Sequence, residues 1–280
     1  MIDTPVALLV LLSALMHAGW NYFVKASADR FLDTVALALA GSLLAACLLP
    51  FFPLPAAASR PWMGITLIVH VGYFLVLVET YRHADLSVAY PLMRGMAPVL
   101  VALAAPLLGE TLSPGLLLGV MLIGFGITLP VWMGLRRGKI GGAGIGYACA
   151  NACIIATYTY TDGVGVRLSG SAAAYTLWLF FLNAWGILAI AFWRHRGDVT
   201  THLKRRWAPA FGGSILTLGS YGIVLWAMTV ASIPAVAALR ETSVIFAAIL
   251  GAWLLKERMG RWRVAGAALV ALGAISIRWG

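Results

Sequence analysis

The sequence predicts an all-α integral membrane protein: ten transmembrane helices in two inverted five-helix repeats. Three observations carry this. Of the 280 residues, 61% are hydrophobic and only 11% charged, against about 25% charged in an ordinary soluble domain. Apolar runs long enough to cross a bilayer recur along the whole chain. A set of residues also repeats at close to half the chain length. With a mean hydropathy of +0.91, the composition excludes disorder, collagen and a disulfide scaffold. It leaves too little polar surface to cover a soluble core of this size.

The spans follow in order. They are 5–24, 31–50, 62–81, 87–108, 113–133, 141–160, 172–193, 207–229, 233–255 and 264–277, the last being short. Each is long and does not alternate, which favours helices over strands. Turn residues and charges mark the joints, as at Pro53, Pro55 and Pro61, at His83-Ala84-Asp85, over 134–138 and over 195–206. Met1, Ile2 and Asp3 give no positive leader region, so the first run is expected to stay as a helix. Cys47, Cys149 and Cys153 lie in apolar runs without metal-ligand spacing and read as small core residues.

Orientation comes from Lys and Arg. The joints after spans 1, 3, 5, 7 and 9 hold fifteen of the twenty; the other side holds Arg60, Arg167 and Arg278; Arg94 and Arg240 lie within spans. That bias places both termini outside the cytoplasm in a multi-pass protein of the cell (inner) membrane. The basic run near Arg206 suits a cytoplasmic loop beside anionic lipid, and no nucleic-acid partner is expected.

The repeat has a shift near 147. Glu110, Gly119, Leu122 and Gly126 match Glu257, Gly266, Leu269 and Gly273; Tyr73, Val76 and Leu77 match Tyr221, Val224 and Leu225; Arg94 matches Arg240. Halves of five crossings each, 1–138 and 139–280, must be inverted relative to one another, an arrangement common in secondary transporters. The glycines, with the Gly115/Gly119 pair, fit close helix packing.

The informative residues are those a bilayer excludes. Arg94 and Arg240 sit about 10 Å into their spans, where an ion normally faces an aqueous cavity or a partner. Running in opposite directions, their spans would place the two guanidinium groups symmetrically about the midplane, suited to a carboxylate or phosphate. The plain alternative pairs Arg240 with Glu241 or Asp162 and lets Arg94 snorkel or cap carbonyls. His17, Asn21 and Lys25 form an i, i+4, i+8 stripe beside Trp20. Tyr90 stands four residues before Arg94, and Asn151, Tyr158 and Asp162 share a face of span 6. Tyr221 lies in span 8. Tyr90, Asn21, Tyr158 and Tyr221 are expected to line the cavity. Burial favours the neutral acid, so Glu241 and Asp162, with His17 beside them, are candidates for ion pairing or proton coupling. Glu79, Glu110 and Glu257 end spans, where interfacial or capping contacts suffice. Trp62, Trp193 and Trp207 near span ends suit interfacial anchoring. No ATP-binding, zinc-protease or nucleophile-elbow motif occurs, so no cofactor or metal is expected.

These features resemble the EamA-type transporters of the drug/metabolite transporter superfamily over essentially the whole chain. The resemblance lies in Pro98 to Gly109-Glu110 followed by Gly119 and Gly126, and in Lys256-Glu257 with Gly266 and Gly273. Further matching stretches are His17-Ala18-Gly19-Trp20-Asn21, Tyr158-Thr159-Tyr160-Thr161-Asp162-Gly163 and Arg240-Glu241-Thr242-Ser243. It implies ten helices in two inverted repeats, alternating access, and often export of amino acids or other small metabolites. Two departures stand out. The second copy lacks a proline matching Pro98, and family members of this kind keep both termini in the cytoplasm, against the charge bias here. The expected function is a secondary transporter of a small polar, anionic or zwitterionic metabolite such as an amino acid, organic acid or phosphonate. Two other classes compete: an integral-membrane enzyme acting on a lipid head group, and a non-transporting scaffold. Oligomeric state does not follow from the sequence.

Overall fold

The computed structural model describes residues 2–25, 29–135, 142–194, 198–254 and 260–279. Arg136, Arg137, Lys139, His195, Arg196, Lys256, Glu257 and Arg258 of the charge and repeat readings lie outside the described residues, as does the side chain of Lys25. The described residues form helices joined by turns, with no strand among them. In order these are α1 (Thr4–Lys25), α2 (Arg30–Leu48), α3 (Arg60–His83), α4 (Leu86–Ala104), α5 (Pro114–Leu135), α6 (Gly142–Arg167), α7 (Ala172–Arg194), α8 (Asp198–Val230), α9 (Ile233–Arg240), α10 (Ser243–Leu254) and α11 (Arg261–Trp279).

The expected runs map onto these elements with four corrections. Asp29 opens α2 by accepting from the Leu32 amide at 2.9 Å, and the span expected at 87–108 leaves the α-helix at Ala104. It continues as a 3-10 turn (Ala105–Leu108) that ends at Gly109, whose φ of +76° suits a residue without Cβ. The run at 207–229 is part of a 33-residue helix that begins at Asp198. Lys204, Arg205 and Arg206 are therefore helical rather than a loop. Lys and Arg are good helix formers, and Arg206 and His202 are held by Asp33 of α2. The run at 141–160 extends to Arg167. The run at 233–255 is interrupted at Glu241–Thr242, giving α9 and α10; there Thr242 Oγ1 donates back to the Leu239 carbonyl at 2.7 Å, a local bond that competes with helix continuation.

The exterior is apolar. Ile68 is 75% exposed, Leu103 65% and Trp253 77%, a surface suited to lipid rather than water. Cys47 and Cys153 also sit on this exterior rather than in the core. Nine helical stretches of the described residues are long and apolar enough to cross a membrane.

Packing pairs the two halves of the chain. α5 lies on α11 and α2 on α7; α3 packs on α6 and α8 on α1; α4 packs on α6, while α9 and α10 pack on α1. The α5–α11 seam is the tightest. A Cβ placed at Gly119 would lie 2.6 Å from the Gly273 carbonyl oxygen, and one at Gly126 2.7 Å from that of Gly266. The absent side chains let the two backbones touch, which is the close packing these glycines suggest.

The ends of the bundle are tied by separate polar clusters. At one end Arg167 donates to the Met228 and Ala231 carbonyls at 2.7 and 2.9 Å and to Glu110 at 2.7 Å, while Glu110 accepts from the Ile233 amide at 3.1 Å. Glu110, in the connection that follows the 3-10 turn, thus caps the start of α9 and links that connection to the ends of α6, α8 and α9. The Ala56 amide donates to the Ser169 carbonyl nearby, placing the end of α2 here too. Asp33, at the start of α2, lies at the opposite end; its carboxylate contacts His202 Nε2 at 2.6 Å and accepts from Arg206 Nη2 at 2.8 Å.

Candidate functional site

The interior of this apolar bundle is charged. Arg94 is 6% exposed, Glu241 4% and Asp162 0%. Arg94 stands mid-way along α4, one turn before Pro98. Proline has no N–H, so the Arg94 carbonyl lacks its usual intrahelical donor. Glu241 occupies the break between α9 and α10, and Arg240 ends α9. α4 comes close to α5 at Gly95, where a Cβ would lie 2.8 Å from the Gly124 carbonyl oxygen.

These elements bring Arg94 Nη2 to 2.8 Å from Glu241 Oε1. The contact is a close ion pair; among the described residues Arg94 Nε, Glu241 Oε2 and Arg240 Nε make no hydrogen bond. All three side chains line one small cavity with Pro98, Ile155 and Thr159. The cavity measures about 10 Å³, close to the least that holds one water. The alternative reading of these charges is corrected. Glu241 pairs with Arg94 and not with Arg240, because the break turns its side chain toward α4. Arg94 neither snorkels nor serves only as a carbonyl cap.

Arg240 instead places its guanidinium carbon 5.1 Å from the centre of the Tyr221 ring, a cation–π contact. No described carboxylate is within salt-bridge distance of it. The Tyr221 hydroxyl donates to Asp162 Oδ2, and Tyr175 donates to Oδ1 at 3.3 Å. Tyr175 reaches Asp162 by lying over Gly165, where a Cβ would meet its ring at 2.7 Å. A chain of contacts thus runs from Arg240 through Tyr221 to a fully buried carboxylate.

Tyr158 stacks on His70, ring centres 4.6 Å apart, and meets Tyr73 edge-on at 6.1 Å. Tyr90 and Tyr158 are within electrostatic range of Arg94, Arg240 and Glu241. His17 is buried and accepts from Trp20 Nε1 at 3.2 Å. Asn21 donates to the His17 carbonyl of its own helix at 2.8 Å. Asn151 donates to Met93 Sδ at 3.0 Å.

Of the residues singled out from the sequence, Arg94, Arg240 and Glu241 line this small cavity, and Tyr90, Asn21, Tyr158 and Tyr221 lie outside its lining. Tyr221 and Asp162 connect to it through Arg240. Asn21 is turned back on its own backbone. Sequence reading missed Tyr175 and the aromatic role of Tyr73, and gave His70 on its own little weight. Tyr73 carried a signal, its match to Tyr221; Tyr175 sits in an apolar run with none.

An apolar exterior, membrane-length helices and a charged interior define a multi-pass membrane protein with a buried polar site. The model of the EamA-like transporter family matches residues 142–279, from the first residue of α6 to the last of α11. Over these residues, just under half of the chain, the protein matches the EamA-like transporters, a family of transporters rather than enzymes. A solved structure, described only as the crystal structure of a protein, superposes with a TM-score of 0.76 at 16% identity over 98% of both chains, a likeness of fold. No curated protein matches the chain.

Proposed function

We propose that this chain is a secondary transporter that moves a small anionic or zwitterionic metabolite across the cell membrane by alternating access. The observation that carries this is the convergence of two arginines and a carboxylate on one cavity in the centre of a helical bundle. A buried guanidinium is retained against its desolvation cost where it meets a partner or cargo. Arg94 and Arg240 hold the carboxylate, phosphate or phosphonate group. Asp162 tunes Arg240 through Tyr221 and, with Glu241, is the candidate for coupling to a proton. Tyr90, Tyr158 and Tyr221 enclose the rest of the cargo once the cavity opens. His17 and Asn21 belong to the adjoining wall on α1.

Two inverted repeats, 1–138 and 139–280, supply the motion. The reciprocal pairings of α3 on α6 with α8 on α1, and of α4 on α6 with α9 and α10 on α1, support them. So does the meeting of α5 and α11 through matched glycines. The charge bias places both termini outside the cytoplasm.

The test is a thermal-shift screen of the detergent-purified protein against amino acids, organic acids, phosphonates and sugar phosphates, repeated on Arg240→Ala. The expected result is stabilisation by one anionic class that the variant loses. Stabilisation by neutral or cationic compounds alone refutes the anion site.

A further inference from the structure

We infer that Glu241 is a tethered anion occupying the seat on Arg94 that the cargo's own anionic group takes, so that cargo and Glu241 compete for one guanidinium. This rests on the reading of Arg94 as part of an anion site and adds what fills that site when it is empty.

Four observations lead there. Arg94 is 6% exposed, so it cannot stand in the closed interior without a counter-charge, and Glu241 Oε1 at 2.8 Å supplies it. The pair is not held as a fixed structural one would be. It meets at one contact, Arg94 Nη2 to Glu241 Oε1, and among the described residues Arg94 Nε and Glu241 Oε2 are buried without a hydrogen-bond partner. A bidentate Arg–carboxylate pair, the frequent arrangement, would occupy both carboxylate oxygens. Space gives the third observation. At about 10 Å³ the cavity admits no carboxylate beside Glu241, so an anion reaches Arg94 only as Glu241 withdraws. The fourth is the hinge: Glu241 lies between α9 and α10, where its amide bonds to the Ala238 carbonyl and that of Thr242 to the Leu239 carbonyl, both at i−3 spacing. A side chain at such a break moves without bending a continuous helix.

The arrangement has a functional consequence. With Glu241 seated, Arg94 is neutralised in the empty carrier, which can pass through the closed state without cargo. A carrier lacking the tethered anion needs cargo to neutralise Arg94 at each passage.

The test uses formate, the smallest carboxylate, as the probe. Wild type, Glu241→Ala, Glu241→Ser and the double variant Arg94→Gln/Glu241→Ala are purified as full chains and melted in sodium formate or in sodium chloride of equal ionic strength. Formate should raise the melting temperature of the Glu241→Ala or Glu241→Ser protein by about 3 °C or more, leave wild type unchanged, and do nothing for the double variant. Equal response of the double variant, or no response in a folded single variant, overturns the inference. So does loss of folded protein in both single variants that formate during purification does not restore, which would make Glu241 a fixed counter-ion. A second arm uses the anion that stabilises wild type in the metabolite screen. Glu241→Gln, which keeps the volume, should bind it about tenfold more tightly. In liposomes that variant should move it into vesicles preloaded with the same anion but not into empty ones, whereas wild type fills both. Weaker binding, or filling of empty vesicles by Glu241→Gln, also overturns the inference. The two readings fail separately. Formate rescue without a stabilising metabolite anion keeps the seat and rejects anionic cargo. Arg240-dependent stabilisation by a metabolite without formate rescue does the reverse.

Discussion

Replacing Gly119 by alanine should destabilise the protein, although the same change elsewhere should stabilise it. In a helix, Gly→Ala ordinarily gains about 0.5–1 kcal/mol from backbone entropy. At Gly146, on the outside of α6, a Cβ would have nothing within 4 Å, so that gain should appear undiminished. At Gly119 the Cβ would lie 2.6 Å from the Gly273 carbonyl oxygen and 3.0 Å from the Ile277 amide nitrogen. Real Cβ atoms essentially never come closer than 3.0 Å, so α5 and α11 must part by about 0.4 Å at least. Overpacking of this kind costs about 1–3 kcal/mol, and parting the helices also thins their dispersion contacts along the seam. Set against the entropic gain, Gly119→Ala should lose about 1–2 kcal/mol while Gly146→Ala gains up to about 1. Thermal unfolding in detergent, followed by tryptophan fluorescence with size-exclusion recovery as a second readout, separates the two by sign. Gly119→Ala as stable as Gly146→Ala would show that the seam tolerates a methyl and would refute the packing argument.

The remaining predictions concern the polar contacts. Tyr221→Phe keeps the ring under Arg240 but strips a donor from Asp162, and should cost about 1.5–3 kcal/mol of stability; Tyr221→Leu also removes the cation–π contact and should cost about 1 kcal/mol more. Equal melting of the two variants would mean the Arg240 stack contributes nothing. Arg167→Ala frees two helix-end carbonyls and Glu110 together, and should lower stability by about 1–3 kcal/mol in thermal unfolding. Adding Glu110→Gln should then have little further effect, and full additivity would show the two are not one cluster. Asp33→Asn should cost about 1 kcal/mol or less at low salt because Arg206 is a third exposed, and its deficit should shrink in 0.5 M salt.

Much of the helical layout was legible because a bilayer demands long apolar runs, and the runs are plain in the sequence. What was missed lies where polarity and helix part company. The stretch from Asp198 to Arg206 reads as a loop by charge, yet Asp33, some 170 positions earlier, holds it as helix. The interruption at Glu241–Thr242 is hidden inside a continuous hydrophobic run, because it depends on a charge drawn toward another helix. Arg94, Arg240 and Glu241 stood out one by one as ions in the wrong solvent. Their partners did not, since pairing depends on how α4 and α9 are rotated about their axes, and neighbours in sequence suggested Arg240 with Glu241. Tyr175 gave no sign, because its role needs the gap above Gly165 on another helix.

The length of α8 sets the Asp33 end of the bundle and the interior ion pair in different media. At 1.5 Å per residue its 33 residues run about 50 Å, well beyond the roughly 30 Å of a hydrocarbon layer. Its first turns, with Lys204 and Arg205 exposed, therefore stand among lipid head groups. The Asp33 cluster works there under counterions, with anionic lipid competing for the same cations. Arg94 and Glu241 feel neither. Ionic strength and lipid charge should thus loosen one closure of the bundle while leaving its interior pair untouched, making the surrounding membrane a setting for how readily that end opens.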